Sequence, residues 1–478
     1  MKLKLAIPTI ALTVLLSLLL RADEKGVYLN SIQLSPADTE QEIILKAGRI
    51  VPTANQLAWQ EMEYIAFAHF GMNTFTNKEG GNGKEDPKLF NPTALDARQW
   101  VGVLQAAGFK ELIITAKHHD GFCLWPSKYT EHSVKNSPWK NGQGDVVKEL
   151  AEACHEAGLK FGVYLSPWDR HEKTYGAPAY NDYYKNQLRE LLTNYGEVSE
   201  VWFDGAGTGK KWKQMQGLYD WQGYFNLAHE LQPQAVVFNE RGDVRWVGNE
   251  AGKGRPSEWS VAPEKYSATD PDIGSRLKLI EAAKQGLIIR WLPAEVDTSI
   301  RPGWFYHKQE DRMVKSLSRL VDIYFNAVGG NAVLLLNIPP DRRGLINEND
   351  ATRLIELRKY LDETFAQNLA RDAKINSSSQ PGGDSRIEYD LGRPMTFNIA
   401  LIQEQIKLGQ RVEEFFLDAW DGKDWNPIAK GAAIGYKRIL RFNPVTTPKV
   451  RVRVTQSRDC PTLSNFELYL SPQEKMAP

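Results

Sequence analysis

Between residues 64 and 340, short apolar runs alternate with amphipathic segments of helical length. The runs are continuously apolar, as expected for strands that are buried on both faces of a parallel sheet. We place eight such strands at residues 64–70, 112–116, 161–165, 201–203, 235–238, 258–261, 287–292 and 332–336, of which 258–261 has the weakest pattern. Three intervening helices end at Gly108, Gly158 or Gly196, and glycine favours the left-handed backbone that closes a helix. Eight strands joined by crossover helices predict a (β/α)8 barrel.

Two observations refine this prediction. The alternative doubly wound fold would carry a glycine-rich phosphate loop after its first strand, and no such loop follows residue 70. The segment 242–272 is long and has little periodicity, so we expect helix five or six of the barrel to be irregular.

The pattern changes after a predicted helix over residues 347–369. Residues 375–384 are polar and turn-forming, which is typical of a linker or loop. Apolar and polar residues then alternate over 397–404, 413–419, 436–442, 449–455 and 464–470, as in an antiparallel β-sandwich. We therefore predict an α/β protein with a (β/α)8-like barrel over residues 40–368 and a C-terminal antiparallel β-sandwich over residues 372–473.

The amino-acid composition limits the kinds of molecule that this protein is expected to bind. Lysine plus arginine and aspartate plus glutamate both number 59, so no net charge favours nucleic acid. The three cysteines, Cys123, Cys154 and Cys460, are odd in number and match no metal-binding spacing, so we interpret them as inert thiols. Aromatic rings pack against the C–H faces of sugars, and the chain has 14 tryptophans, although large cores also use this residue.

The N-terminus has the pattern of a signal peptide. Lys2 and Lys4 precede an apolar stretch over residues 5–20, and polar sequence begins at Arg21. The alternative is a transmembrane anchor, for which this stretch is slightly short. We predict a signal peptide at residues 1–22, export to the periplasm or the extracellular space, and a mature chain with no stable membrane span.

Polar and aromatic side chains cluster at the ends of the predicted strands. The (β/α)8 barrel collects the carboxyl ends of its strands on one rim, where enzymes of this architecture keep their active sites. The residues that this rim would bring together are His69, His118, His119, Tyr164, Trp202 and Asp204.

One interpretation of this cluster is a metal-dependent hydrolase. His118, His119 and Asp204 could provide nitrogen and oxygen ligands to zinc. Adjacent side chains on an extended segment point to opposite sides, however, which disfavours joint ligation by the two histidines.

The other interpretation is glycoside hydrolysis without a metal. This reaction needs one ionised carboxylate and one protonated carboxylic acid beside the scissile bond. Asp204 suits the first role because it follows the fourth strand directly and precedes Gly205, although Asp-Gly is also a common turn pair.

Four motifs in series resemble the α-L-fucosidases of glycoside hydrolase family 29. They are His-Phe-Gly at 69–71, Lys-His-His-Asp-Gly-Phe at 117–122, Tyr-Leu-Ser at 164–166 and Val-Trp-Phe-Asp-Gly at 201–205. Each motif is weak alone, but the four together are specific and cover about residues 55–365. The resemblance implies a (β/α)8-like barrel followed by a β-sandwich, fucosylated glycans as substrates, and neither a metal nor another cofactor.

The resemblance also implies roles for individual residues. Asp204 matches the catalytic nucleophile, and Arg241 matches an arginine that follows the fifth strand. The segment 248–252 resembles the acid/base segment of the branch specific for α-1,3/1,4-linked fucose, which implies Glu250 as the acid/base. Glu258 and Glu295 are the alternatives. The residues that would bind the fucose ring and hydroxyls are His69, His118, His119, Tyr164 and Trp202.

The function implied is that of a retaining exo-α-L-fucosidase with a double-displacement mechanism, acting on terminal fucose, with α-1,3/1,4 linkages expected. The segment 293–307 also resembles the α-1,3/1,4 branch and is expected to line the site for the rest of the glycan. A metal-dependent hydrolase on a barrel and a non-catalytic carbohydrate-binding protein are the alternatives. We expect the C-terminal sandwich to brace the barrel, and the sequence predicts no oligomeric state.

Overall fold

The computed structural model describes residues 28–379 and 384–472. The predicted signal peptide at residues 1–22 and residue 473, the last of the predicted sandwich, lie outside the described residues. The strands are β1 (Ser31–Gln33), β2 (Tyr64–Ala68), β3 (Glu111–Lys117), β4 (Lys160–Leu165), β5 (Glu200–Trp202), β6 (Val236–Phe238), β7 (Arg245–Trp246), β8 (Val261–Pro263), β9 (Ile288–Trp291), β10 (Ala294–Ser299), β11 (Ala332–Asn337), β12 (Lys374–Ser379), β13 (Ser385–Glu404), β14 (Val412–Trp420), β15 (Trp425–Gly431), β16 (Arg438–Ser457) and β17 (Leu463–Tyr469). The α-helices are α1 (Glu40–Gly48), α2 (Ala54–Gln60), α3 (Met72–Thr76), α4 (Ala97–Ala106), α5 (Val146–Ala157), α6 (Tyr180–Asn194), α7 (Gly209–Met215), α8 (Trp221–Leu231), α9 (Arg276–Lys284), α10 (Leu317–Ala327) and α11 (Glu348–Thr364).

Eight parallel strands form the barrel in the order β6-β5-β4-β3-β2-β11-β10-β7. A parallel bridge between Phe238 of β6 and Val244, the residue before β7, links the two edges of this sheet, so the barrel is nearly closed. All seven residues of β3 are buried, as the continuous apolar run predicted. The predicted (β/α)8-like barrel is confirmed.

Helix α5 illustrates how local sequence sets the outer layer. The Asp145 side chain accepts a hydrogen bond from the Lys148 backbone N–H and caps the helix. Gly158 closes the helix with a φ of 71°, a left-handed conformation that glycine adopts without a steric cost. Val147 and Leu150 lie on the buried face, so the amphipathic pattern packs the helix against the sheet.

The sixth and seventh barrel strands were predicted at the wrong positions. The run at 287–292 contains β9, which pairs with β1 and β8 in a separate three-stranded antiparallel sheet, and the weak run at 258–261 ends where β8 begins. The barrel uses β7 and β10 instead. Strand β10 is fully buried although it contains Glu295 and Asp297, so its polar sequence gave no hydrophobic signal.

The C-terminal part is an antiparallel sheet in the order β12-β13-β16-β14-β15, with β17 paired to β13. Strands β13 and β16 each span 20 residues and contain register shifts, so they bend and enclose their own apolar core. This arrangement confirms the predicted C-terminal β-sandwich class. Strand β12 occupies part of the segment predicted as a linker, because pairing with β13 stabilises a polar edge strand.

Polar contacts join this sheet to the barrel. The Gln410 side chain accepts from the Ser260 backbone N–H at 2.7 Å and donates to the Glu258 carbonyl at 3.2 Å. The Tyr436 backbone N–H donates to the Asn331 side chain at 2.7 Å. Within the described ranges, no helix is long and apolar enough to cross a membrane.

Candidate active site

A pocket of about 700 Å³ opens at the carboxyl ends of the barrel strands. A volume of this size is typical of small-molecule sites. The structure brings together all the residues assigned to the site from the sequence, apart from the alternative acid/base candidates Glu258 and Glu295. Lining the pocket are His69, His118, His119, Tyr164, Trp202, Asp204, Arg241 and Glu250.

Asp204 is held by two donors just beyond β5. The Tyr164 hydroxyl donates to Asp204 Oδ2 at 2.8 Å, and the Ala206 backbone N–H donates to Oδ1 at 2.6 Å. The side chain is 17% exposed, so it faces the pocket from a largely buried position. These contacts fix the orientation of the carboxylate.

The paired histidines both face this pocket. Their ring centroids lie 4.1 Å apart with a 40° tilt. The expectation that they point to opposite sides was wrong, because β3 ends at Lys117 and the chain then turns, with the Gly121 N–H donating to the His118 carbonyl. His119 Nε2 lies 3.5 Å from Asp204 Oδ2.

Burial keeps the three pocket histidines neutral. It lowers the pKa of His69 to about 3, although the Asn337 side chain that contacts its ring opposes this shift. Burial also lowers the pKa of His118 and of His119, and the Asp204 carboxylate opposes the shift at His119. A neutral imidazole has one N–H donor and one acceptor, so each ring can both give and receive a hydrogen bond to a hydroxyl.

An aromatic wall completes the deep end of the pocket. Trp202 stacks on Phe238 at 4.1 Å between centroids and on Tyr164 at 5.3 Å. The Trp202 indole N–H donates to Glu295 Oε1 at 2.9 Å. Flat aromatic faces in fixed positions suit the C–H surface of a sugar ring.

Glu250 reaches the pocket from the loop between β7 and β8. The loop needs glycine on both sides of it, because Gly248 and Gly252 have φ values of 96° and 71°. A Cβ at Gly248 would lie 2.0 Å from the Ala268 carbonyl oxygen. The Trp304 indole N–H donates to Glu250 Oε2 at 3.1 Å, so this exposed carboxyl group has a defined orientation.

The two other glutamates considered from the sequence lie elsewhere. Glu258 is 1% exposed and pairs with Arg245 and Arg255, away from the pocket lining. Glu295 is fully buried inside the barrel, where burial raises its pKa to about 8.

Sequence reasoning missed other pocket residues, among them Glu79 and Trp246. Glu79 lies on a polar loop, and its carboxylate accepts from the Trp304 backbone N–H at 2.8 Å and contacts His307 Nε2 at 2.6 Å. Trp246 belongs to a two-residue strand and donates from its indole N–H to Asp297 at 2.7 Å. Neither a loop glutamate nor a two-residue strand gives a periodic signal.

Asp297 and Trp304 belong to the segment 293–307, which was expected to line the site, and both side chains line the pocket. Burial, together with smaller contributions from the charges of Glu250 and Asp204, raises the pKa of Asp297 to about 7. Two other carboxyl groups of the pocket therefore favour the protonated form of Asp297.

For metal binding, residues 28–379 and 384–472 contain no group of three or more His, Cys, Asp or Glu side chains arranged to hold an ion. The hydrogen-bond donors to Asp204 are the Tyr164 hydroxyl and the Ala206 backbone amide. This geometry suits acid and nucleophile chemistry on a sugar.

Comparison with known proteins places this pocket in a family. The model of the family described as "Alpha-L-fucosidase" matches residues 49–364. The chain is 43% identical over 452 residues to "Alpha-L-fucosidase 1" of Arabidopsis thaliana, covering 88% of this chain and 87% of that protein.

Solved structures agree. A glycoside hydrolase 29 family member from an unknown rumen bacterium superposes with a TM-score of 0.80 at 45% identity, covering 88% of this chain and 78% of that one. A Ruminococcus gnavus GH29 fucosidase, solved in complex with fucose, superposes with a TM-score of 0.77 at 30% identity, covering 92% and 99%. Because the matched region contains the barrel and the whole pocket, the chain belongs to the α-L-fucosidases of glycoside hydrolase family 29.

Proposed function

We propose that this α-L-fucosidase is a retaining exo-enzyme in which Asp204 is the nucleophile and Glu250 the acid/base. The observation that carries the proposal is that both carboxyl groups line one pocket, each held by a specific donor. A retaining mechanism needs the two carboxyl groups about 5–5.5 Å apart, on either side of the anomeric carbon.

In the first step, Asp204 attacks the anomeric carbon as the bond to the leaving oxygen breaks, and Glu250 transfers its proton to that oxygen. In the second step, Glu250 takes a proton from water, whose oxygen attacks the anomeric carbon and releases Asp204. The neutral histidines and the Trp202 wall bind the fucose ring and its hydroxyls. Arg241, exposed at the pocket edge after β6, adds a positive charge near them.

Burial and pairing argue for Glu250 over the alternatives. A general acid must come within hydrogen-bond reach of the leaving oxygen. Glu258 is occupied by two arginines, and Glu295 is enclosed in the barrel below Trp202. Glu250 is exposed at the pocket, on the side that a leaving sugar would occupy.

The product anomer tests the mechanism. Proton NMR of the hydrolysis of an aryl α-L-fucoside should show α-L-fucose first, followed by mutarotation. Initial formation of β-L-fucose would contradict retention and would make Asp204 a base rather than a nucleophile.

For linkage, we propose α-1,3/1,4-linked fucose on a branched glycan. The support is that the loop carrying Glu250 and the loop carrying Trp304 meet at the pocket entrance, where the rest of a glycan would lie. Parallel incubation with an aryl fucoside, a Lewis-type branched trisaccharide and an α-1,2-linked fucoside tests this. Cleavage of the aryl fucoside without cleavage of the branched trisaccharide would overturn the linkage proposal and leave the fucosidase activity intact.

For location, we propose export across a membrane, supported by the basic and apolar pattern of residues 1–20. Expression of the full chain in a bacterial host, followed by fractionation and N-terminal sequencing, should give a processed protein outside the cytoplasm. An unprocessed protein in the cytoplasmic fraction would contradict the proposal.

A further inference from the structure

Ser166 lies directly behind the pocket histidine that faces Asp204. It follows β4, is fully buried and does not line the pocket. Its Oγ lies 2.7 Å from His119 Nδ1 and 2.7 Å from the Trp168 backbone carbonyl oxygen. A serine hydroxyl has one proton to donate, and the Tyr164 hydroxyl is a further neighbour of this oxygen.

The Trp168 carbonyl decides where that proton goes. A carbonyl oxygen only accepts, so the bond from Ser166 to Trp168 uses the hydroxyl proton. The serine oxygen is then an acceptor toward His119 Nδ1, and the ring must carry its proton there. If Ser166 instead donated its proton to His119 Nδ1, the buried Trp168 carbonyl would lose its hydrogen bond. Leaving a buried polar group unpaired costs free energy.

The other ring nitrogen of His119 consequently has a free lone pair that faces the pocket. Several charged or titratable groups surround this ring: Asp204, Asp169, Arg170, His118 and His69. Burial outweighs the attraction of the two carboxylates and lowers the pKa of His119, so the ring is neutral. A deprotonated Nε2 and an ionised carboxylate 3.5 Å apart are both acceptors and do not bond to each other.

We propose that Ser166 is a positioning residue that holds His119 in the Nδ1–H tautomer, so that Nε2 accepts a hydrogen bond from a sugar hydroxyl beside Asp204. The identity of the sugar rests on the proposed function, whereas the tautomer does not. Without the serine oxygen, the neutral ring would also populate the Nε2–H tautomer. That tautomer would donate to the Asp204 carboxylate and lose its acceptor for the substrate hydroxyl.

Nitrogen NMR tests the tautomer directly. In protein labelled with ring-15N histidine, the His119 signals, assigned by their loss in His119→Asn, should show a protonated Nδ1 and an unprotonated Nε2. Ser166→Ala should shift them toward a mixture of the two tautomers. A predominantly Nε2-protonated ring in the wild-type protein would overturn the proposal, whether or not the enzyme cleaves fucosides.

Kinetics with modified substrates tests the consequence. Ser166→Ala should lower kcat/KM on an aryl fucoside by about 10- to 100-fold. The same comparison of wild type and variant is repeated with aryl fucosides that each lack one hydroxyl, as in a double-mutant cycle. The loss of kcat/KM caused by Ser166→Ala should disappear for one of these substrates, the one that lacks the hydroxyl bound by Nε2. An equal loss on all of the deoxy substrates would show a merely structural role and overturn the proposal.

The matched control is Ser137→Ala. Ser137 is also buried and donates from Oγ to a backbone carbonyl, that of Val134, at 2.7 Å, but it contacts no pocket residue. It should leave both the His119 signals and the deoxy-substrate pattern unchanged. Thermal unfolding of both variants confirms that any kinetic difference does not come from loss of folded protein.

Discussion

The two sides of the pocket are built in different ways. On one side, strands β2 to β5 present His69, His118, His119 and Asp204 from strand ends that are buried on the barrel rim. On the other side, the loops that follow β6, β7 and β10 present Arg241, Glu250 and Trp304, of which the first two are exposed and Trp304 is half-buried.

This difference separates two chemical tasks. The strand-end side has neutral histidines and a carboxylate fixed by two hydrogen bonds, which suits tight binding of one small sugar and attack on its anomeric carbon. The loop side places a carboxyl group in solvent contact beside an indole, which suits proton exchange with a leaving sugar of variable structure. A rigid rim therefore supports the shared chemistry, and the loops carry the part that differs between substrates.

The strand-end side should be the more sensitive to substitution. Asp204→Asn removes the proposed nucleophile but keeps an acceptor for the Tyr164 hydroxyl, so kcat should fall by roughly 10⁴-fold or more with the fold unchanged. Asp297→Asn is the matched control in the same pocket and should cost far less. The two variants are compared by their kcat on an aryl fucoside. If both lost kcat to a similar extent, the special role of Asp204 relative to Asp297 would be contradicted.

On the loop side, Glu250→Gln removes the proposed proton donor. It should reduce turnover of a glycan by about 10²–10⁴-fold, and less for an aryl fucoside whose leaving group needs no proton. The control is Glu258→Gln, which weakens the buried pair with Arg245 and should lower Tm by several degrees with a smaller kinetic effect. If Glu258→Gln instead showed the dependence on leaving group, the assignment of the acid/base would be wrong.

The indole that orients Glu250 should matter less than the carboxyl group. Trp304→Phe keeps an aromatic ring and removes one hydrogen bond, so turnover of the glycan should fall by about three- to tenfold. Trp246→Phe removes the equivalent bond to Asp297 and should affect glycan and aryl fucoside equally. The measurement is the ratio of glycan turnover to aryl fucoside turnover for each variant. If the two variants gave the same ratio, Trp304 would not act through Glu250.

The barrel interior beneath both sides should make stability depend on pH. Burial raises the pKa of Glu295 to about 8 and of Glu111 to about 7, from an ordinary value of 4.5, and raises that of Glu200 as well. The folded state thus binds protons more tightly than the unfolded state, so this stability is fully present below the ordinary pKa and is lost as pH rises toward about 8.

Glu295→Gln stays neutral at every pH and can still accept from Trp202, so it should reduce this loss. Tm measured from about pH 5 to about pH 9 should fall less in the variant than in the wild type, by a few degrees. Glu230→Gln, at an exposed surface position, is the control. If Tm fell with pH by the same amount in the wild type and in Glu295→Gln, Glu295 would not be the group that holds the additional proton in the folded state.

The regular half of the barrel could be predicted from the sequence because burial on both faces imposes a continuous apolar run, as in β3. The other half could not. The two-residue strand β7 and the strand β10, which buries Glu295, Asp297 and Thr298, have polar sequences that hydropathy assigns to the surface. The apolar segment 287–292 has the pattern expected of a barrel strand, but its strand β9 belongs to the separate three-stranded sheet.

The pocket shows the same division. Motifs at strand ends gave His69, the paired histidines and Asp204, because the barrel topology alone brings the carboxyl ends of its strands together. Glu79 was not predictable, since its loop carries no motif and its contacts with Trp304 and His307 span more than 200 residues of sequence. The linkage preference, the retaining mechanism and the domain boundary near residues 368–372 stay predictions.

The sequence by itself determined the barrel class, the regular half of its strands, the C-terminal antiparallel class and the pocket residues at strand ends, because hydrophobic period and motif order are local properties of the chain. The tertiary structure alone decided which carboxyl group faces the pocket and which partner each histidine nitrogen meets. Burial, hydrogen-bond partners and neighbouring charges set both outcomes, and these come from segments far apart in the chain. Glu250, Glu258 and Glu295 are the same residue type, and only their surroundings distinguish them.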